Sequence, residues 1–382
     1  MKPLKVLSVF GTRPEAIKMA PVIQELRNHS EITSLTCVTA QHREMLDQVL
    51  SLFDIIPEYD LNIMRPGQTP NEVVSRVIDG LEPLLNQIRP DWILVQGDTT
   101  TVMAAAIAAR HLKIKIGHVE AGLRTGDMNN PFPEEMNRII ADAISDLHFV
   151  PTSHARANLL REGVGDEKIV VTGNTVIDAL LSVGNLPWMP TTDNPIYRVL
   201  NDHNGSLSSS KLILVTMHRR ENFGEPLQNI CLALRDISQK SADLLRFIIP
   251  VHLNPNVRDS IHNLLGNDPN FILVPPMDYL SLVNVMKRST LILTDSGGIQ
   301  EEAPSLGIPV LVLRKATERP EGVEAGTVRV VGVERPAIVE QTLELLSNKD
   351  AYTAMAQAVN PYGDGHAAER IVARLLKEAG NE

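Results

Sequence analysis

Short runs of apolar and β-branched residues alternate along the chain with longer stretches in which apolar side chains recur every three or four positions. That alternation predicts βαβ units building a parallel sheet. Residues 4–10, 34–40, 92–96, 115–119, 147–150 and 169–172 read as strands; 14–29, 42–53, 71–88 and 175–183 read as helices, with further helical pattern between the later strands. The period is lost over 184–210, which collects Pro, Asn, Asp, Gly and Ser as a linker does. It then restarts, with strands at 212–216, 247–251, 271–274, 291–294, 310–313 and 328–331, and an amphipathic helix at 365–379. The expected fold class is α/β, two Rossmann-like doubly wound domains facing a central cleft. The first covers residues 1–184, a linker 185–210, the second 211–364, and a C-terminal helix 365–382. No sequence repeat of fixed period relates the halves. Ligands of open parallel sheets bind beyond the carboxyl ends of the strands, so the loops after strands are where chemistry is expected.

Charge and cysteine usage narrow the function. The 382 residues carry 36 Lys+Arg against 46 Asp+Glu, a formal charge of −10. Such a balance repels a phosphate backbone unless cations cluster on one face; no cluster is visible, so no nucleic-acid partner is expected. Cys37 and Cys231 lie far apart in apolar segments and form no CxxC, which supports neither a disulfide framework nor a thiolate zinc site and fits a reducing cytoplasm. No HExxH or comparable ligand spacing occurs, so no metal is expected. The longest apolar run, residues 102–109, is far short of the ~18 needed to span a bilayer, and the N-terminus runs into GTRPE rather than a small-residue cleavage site. The chain therefore reads as soluble and cytoplasmic, with no membrane partner and no signal peptide.

The loop after the first strand, Phe10-Gly11-Thr12-Arg13-Pro14-Glu15, contains a T-x-x-E capping box, which accounts for Glu15. It leaves Arg13 and Lys18, two cations at a helix N-terminus that oppose the macrodipole and make sense if an anion sits there. The loop is neither GxGxxG nor GxxxxGK[ST], so no dinucleotide fingerprint or Walker loop is present. Asp98, in Gly97-Asp98-Thr99, reads equally as a helix cap or a functional acid. Glu120 follows the next strand, where alternation puts it on one face with His118. Glu134 and Glu135 stand at a helix start ahead of Arg138, and one of them serves the dipole. Three successive strand-end loops thus each offer a carboxylate, which independent caps would seldom do with Glu.

In the second half, His218-Arg219-Arg220 concentrates charge after a strand, where a cap alone needs one Ser or Asp; a His flanked by two Arg in such a loop suits a phosphate. The most specific segment is Thr294-Asp295-Ser296-Gly297-Gly298 running into a helix, since bare backbone N–H groups there can approach a pyrophosphate closely. Glu302, one turn further, suits the two hydroxyls of a ribose, and Arg319 is a further phosphate partner.

Together the segments FGTRPEAIKMAP, VTAQHREMLDQVL, GDTTT, GHVEAGLRTGD, PEEMNR, TGNTVIDALL, HRREN, VHLNPNVR, LTDSGGIQEEAPSLG, TERPE, AGTVR and NPYGDG resemble the non-hydrolysing UDP-N-acetylglucosamine 2-epimerases, in family order over nearly the whole chain. Pro14-Glu15 with Lys18 favours that branch over the hydrolysing one. The resemblance implies the GT-B fold, with the C-terminal helix crossing back to the first domain, and a bacterial cytoplasmic isomerase acting on a nucleotide sugar without cofactor or metal. It implies a reaction centre of Arg13, Lys18, Asp98, Glu120, Glu134, Arg138 and His218, and a UDP site of His218, Ser296, Gly297, Gly298, Glu302 and Arg319. It further implies homodimerisation and an allosteric substrate site at Gln41, His42, Glu44 and Arg65. The expected reaction is reversible C2 epimerisation of UDP-GlcNAc to UDP-ManNAc through 2-acetamidoglucal, supplying surface polysaccharide. A hydrolysing epimerase, a GT-B glycosyltransferase and an inactive nucleotide-sugar sensor are the alternatives.

Overall fold

The computed structural model describes residues 2–40, 43–65, 67–200, 210–241, 245–252 and 254–380. Strand β1 (Leu4–Phe10) is buried from Val6 to its end, as a parallel strand covered by helices on both faces must be. Its sheet adds β2 (Ile32–Val38), β3 (Tyr59–Asp60), β4 (Trp92–Gln96), β5 (Lys115–Val119), β6 (Leu147–Val150) and β7 (Ile169–Val171), all parallel, in the order β3-β2-β1-β4-β5-β6-β7. The order reverses between β1 and β4, so the loops that leave these two strands diverge and open a crevice at their carboxyl ends.

A second, six-stranded parallel sheet holds β8 (Lys211–Thr216), β9 (Leu245–Pro250), β10 (Phe271–Val274), β11 (Leu291–Thr294), β12 (Val310–Val312) and β13 (Val328–Val330), ordered β10-β9-β8-β11-β12-β13. Here the reversal lies between β8 and β11, which brings the loops starting at Met217 and Asp295 to one place. The fold class is therefore the expected one, two parallel-sheet α/β domains.

The chain divides into two compact units, Met1–Leu181 with Tyr362–Glu382, and Ser182–Pro361. The first is held by apolar packing of Leu7, Val9, Ile93 and Val95 against the helices Pro70–Ile88 and Thr100–His111, and the second by Val215, Phe247, Leu293 and Leu311 against the helix Glu225–Lys240. The helix Ala367–Gly380 belongs to the first unit: Ala368 N donates to Asp178 Oδ1 at 2.8 Å, and Arg370 Nη1 to the Thr172 carbonyl at 2.9 Å.

Two short elements differ from the sequence pattern. β3 is a two-residue edge strand, too brief to show a period. Inside the polar segment after residue 184, residues 195–200 form the helix Pro195–Leu200, and Trp188 docks on the second unit by donating from Nε1 to Ser281 Oγ at 3.1 Å, with Arg288 over its ring.

Candidate active site

The Gly11–Glu15 turn is built by its own side chains. Gly11 N and Thr12 N donate to Glu15 Oε2 at 3.1 and 2.7 Å, and Thr99 Oγ1 from the loop after β4 donates to Oε1 at 2.7 Å. Burial pushes the Glu15 carboxyl up, against the pull of these donors. Glu15 is thus a cap that also ties the β1 and β4 loops together. Gly11 is obligatory, because a Cβ there would lie 2.0 Å from Thr39 Oγ1. Arg13, half-buried, begins the helix Arg13–Asn28.

Lys18, one turn on, reaches the carboxylate after β5: its Nζ lies 2.5 Å from Glu120 Oε1. The anion that this cation faces is thus supplied by the chain itself. Glu120 also accepts from Asn174 Nδ2 at 3.0 Å and from Gln96 Nε2. Strand alternation does not carry through to Glu120. The residue lies past the end of β5 at φ +64°, a backbone region costly for a side chain with a Cβ. His118 and Glu120 consequently meet different partners. His118 contacts Asp142 and the Gly97 carbonyl, at 2.6 and 2.7 Å.

Asp98 follows Gly97, whose φ of +79° makes the turn that a β-carbon would oppose. Arg138 Nη2 donates to Asp98 Oδ2 at 2.5 Å, and Asn137 Nδ2 to the Asp98 carbonyl at 2.9 Å. Arg138 is steadied in turn by Glu135, whose carboxylate also accepts from Thr125 N and Gly126 N. Glu135, fully enclosed, is therefore the scaffold of the adjacent pair. Glu134 is the other: its Oε2 is buried without a hydrogen-bond partner among the described residues, as is Arg138 Nε. Buried polar atoms are seldom left so outside binding sites. Asp98, Glu120, Arg138 and Lys18 are thus brought together by β4, β5 and two helix starts, with Glu134 at the head of the helix Glu134–Ile144.

In the second unit the organising residue is Asp295, which sequence reasoning did not single out. Its carboxylate, with no exposed surface, accepts from His218 N, Arg219 N and Asn222 Nδ2 at 2.9, 2.9 and 3.0 Å, and pairs with His218 Nδ1 at 3.0 Å. Burial opposes its charge, but these donors outweigh that and hold the carboxyl below its ordinary range. His218, its side chain 46% exposed, is thereby oriented with its other nitrogen left for a ligand. Ser296 precedes the short helix Gly297–Glu302. A Cβ on Gly297 would stand 3.7 Å from Arg219 Nη2 and 3.8 Å from Arg319 Nη2, so two guanidinium groups flank this backbone. Arg319 Nε is held by Glu301, and Glu302 Oε1 accepts from Tyr279 Oη at 2.6 Å. Gly298 leaves Glu302 Oε2 3.7 Å from its own Cβ position.

Of the four residues expected at a second substrate site, Gln41 and His42 lie outside the described residues. Glu44 is exposed in the first turn of the helix Arg43–Leu52, and Arg65 is exposed with its backbone N donating to Gln68 Oε1 at 3.2 Å. The signal that could have found Asp295 is its place between a buried strand and a glycine turn, where a carboxylate with no exposure must be meeting backbone donors. No helix among the described residues is long and apolar enough to cross a membrane.

Comparison with known proteins adds to this geometry. The profile of the family described as UDP-N-acetylglucosamine 2-epimerase matches residues 24–376. The UDP-N-acetylglucosamine 2-epimerase of Escherichia coli (strain K12) is 53% identical over 372 residues, 97% of this chain and 98% of that one. A crystal structure of UDP-GlcNAc 2-epimerase from Neisseria meningitidis bound to UDP-GlcNAc superposes with a TM-score of 0.87 at 51% identity, covering 98% of this chain and 100% of the other. A glycotransferase of kitacinnamycin, 12% identical with a TM-score of 0.61 over 99% of both chains, shares the fold alone, which is the GT-B kind.

Proposed function

The chain belongs to the UDP-N-acetylglucosamine 2-epimerase family, and from that premise we propose that it interconverts UDP-GlcNAc and UDP-ManNAc at C2 by eliminating and re-adding UDP. The C2 hydrogen of a 2-acetamido sugar is not adjacent to a carbonyl carbon, so no enolate can stabilise its removal. Loss of UDP from C1 supplies the activation: positive charge developing at the anomeric carbon acidifies C2–H, and the electron pair of that bond becomes the C1–C2 double bond of 2-acetamidoglucal. UDP then re-adds at C1 while C2 is protonated on its other face.

Two faces need two proton-handling groups, and the observation that carries the reading is how differently the three carboxylates of the first unit are partnered. Glu120 is tied to a lysine and two amides, Asp98 to one arginine through one oxygen, and Glu134 keeps a buried oxygen without a partner. Proton removal on one face and delivery on the other call for two distinct groups, and carboxylates so differently partnered are the candidates for them. In the second unit His218, Arg219, Arg319 and the backbone of Ser296–Gly298 neutralise the leaving diphosphate, and Glu302 holds the ribose. Arg13 and Arg138 complete the sugar side.

The buried free thiols Cys37 and Cys231 support a reducing, cytoplasmic setting, in which the product would feed ManNAc-type units of surface polysaccharide. The chain works as a homodimer, with Gln41, His42, Glu44 and Arg65 in an activating substrate site. The test is incubation with UDP-GlcNAc alone in D2O, followed by NMR. UDP-ManNAc carrying deuterium at C2 is the expected result, and with substrate 18O-labelled at the bridging oxygen the label should scramble into the diphosphate. Free ManNAc would mark a hydrolysing enzyme, and binding without exchange a sensor or a transferase waiting for its acceptor.

A further inference from the structure

His118, on β5, has no exposed surface. Its Nε2 lies 2.7 Å from the Gly97 carbonyl, which can only accept, so Nε2 carries a proton. Its Nδ1 lies 2.6 Å from Asp142 Oδ1. The Asp142 carboxylate also accepts from Gly122 N at 3.1 Å and pairs with Arg124 Nη1 at 2.8 Å, so it is ionised and Nδ1 carries a proton as well. A histidine that donates from both nitrogens is an imidazolium.

We propose that His118 is a positioning residue for the epimerisation argued above: a fixed imidazolium whose Nε2–H holds the Gly97 carbonyl and so sets the turn that presents Asp98. Gly97 is gripped on both sides by β5, its N–H donating to the Val119 carbonyl at 3.0 Å and its carbonyl accepting from His118. The next carbonyl, that of Asp98, is held by Asn137, and the Asp98 carboxylate by Arg138. Of these four restraints, the three made by side chains return to one helix, Glu134–Ile144, which carries Asn137, Arg138 and, through His118, Asp142. The helix that holds Asp98 also bears Glu134 as its first residue.

The charged and titratable groups around the ring agree with a charged state. Asp142 faces it from the helix. Arg124 opposes it from the loop after β5 but is itself shared between Asp142 and Glu162, and His148 on β6 donates to the Asp142 carbonyl at 2.9 Å. Burial works against the imidazolium, yet Asp142 and the Gly97 carbonyl more than offset it and raise the His118 proton affinity, while the Asp142 carboxyl is drawn down to about 2.

Two variants and one spectrum test this. His118→Gln keeps an amide N–H where Nε2 stood, and His118→Asn keeps one where Nδ1 stood. The expected result is a kcat within about threefold of the parent for His118→Gln and a loss of about tenfold or more for His118→Asn, with UDP affinity unchanged in both, because a misplaced catalytic group costs rate while the nucleotide ligands lie in the other unit. Equal kcat losses in the two variants, or none in His118→Asn, would overturn the positioning role. On the unmodified protein, 15N NMR of the His118 ring between about pH 6 and 8 should find both nitrogens protonated. A bare nitrogen would overturn the proposal without reference to turnover. That spectrum also separates its failure from failure of the epimerase reading, which would appear as an inactive parent protein.

Discussion

Lys18→Met and Glu120→Gln break the same ion pair from opposite ends, and the structure predicts opposite orders for stability and rate. The pair is 2.5 Å long with side chains 17% and 6% exposed. Removing one partner of a buried pair typically costs about 3–5 kcal/mol, mostly the burden of the charge left behind. In Lys18→Met that charge is Glu120, deeply enclosed, though Gln96 and Asn174 still donate to it, so a loss near the lower figure, ~3 kcal/mol, is expected. In Glu120→Gln the charge left is the Lys18 ammonium, on a flexible four-carbon stem that already touches water; the loss should be about 1–2 kcal/mol. At roughly 2–4 °C per kcal/mol for a unit of this size, thermal unfolding should fall by ~6–12 °C in the first variant and clearly less in the second. Turnover should run the other way. Glu120→Gln keeps the shape and deletes one of the carboxylates proposed to handle the C2 proton, worth about 10²–10⁴ in kcat, whereas Lys18→Met leaves the carboxylate in place and should lose far less. Calorimetry and an NMR epimerisation assay read both quantities on the same samples. If the variant that unfolds first is also the slower enzyme, Glu120 is only structural and the assignment fails.

Asp98→Asn should lower kcat by about 10²–10⁴ while leaving UDP affinity within about twofold, checked by NMR turnover beside calorimetric titration; an equal loss of affinity would make Asp98 a binding residue only. Gly297→Ala places a methyl at ordinary contact distance from the Arg219 and Arg319 guanidinium groups, so the fold should hold and the unfolding temperature stay put. The same methyl covers the backbone that a diphosphate must approach, and UDP should bind about tenfold more weakly. The His118–Asp142 pair sets a pH window. Asp142 is depressed from 3.8 to about 2, so its stabilisation is present above pH 3.8 and lost as pH falls through about 2. His118 is raised from 6.5, so its contribution is complete below pH 6.5 and lost as pH rises through the higher folded value. Urea midpoints between about pH 6 and 9 should therefore drift down in the parent protein and less in His118→Gln; identical drift would assign the alkaline loss to other groups.

What the sequence revealed, and what it hid, follows the range of the forces involved. The strands were legible because a parallel strand needs an unbroken apolar run and its helices need a period. β1, β4, β5, β6, β10 and β11 begin and end where those runs do. β3 and the helix Pro195–Leu200 were not legible, since two residues cannot show a period and a six-residue helix packed against β10 with Ile196 buried owes its order to tertiary contact. Candidate residues were visible as charges in loops after strands, but their partners were not. Lys18 read as a cation awaiting an anion, and only the fold brings Glu120 to it from 102 residues away. Asp295 was quoted within its motif yet passed over: its place before a glycine turn hints at a role, but the backbone N–H groups it accepts from, those of His218 and Arg219, are brought to it only by the fold.

The second unit resolves an apparent conflict in the charge balance. A chain of net charge −10 with no basic patch is a poor host for a diphosphate on electrostatic grounds. The resolution lies in how its cations are kept. Arg319 is held by Glu301, and Arg314 by Glu221 at 2.7 Å and Glu318 at 3.3 Å. Glu318 resists its own burial because Arg219, Arg314 and Arg319 surround it, which holds its carboxyl below the ordinary range. Acids thus occupy the guanidinium groups and keep them from repelling one another, while Arg219 Nε remains buried with no hydrogen-bond partner among the described residues. A diphosphate arriving at Ser296–Gly298 would compete with Glu301 and Glu318 for donors already aimed at that backbone. Recognition then rests on placement rather than on net field, and placement can be strong where charge-assisted hydrogen bonds are made in a partly buried site. The same arrangement would favour release of a bound diphosphate, since Arg314 and Arg319 each keep a carboxylate to return to.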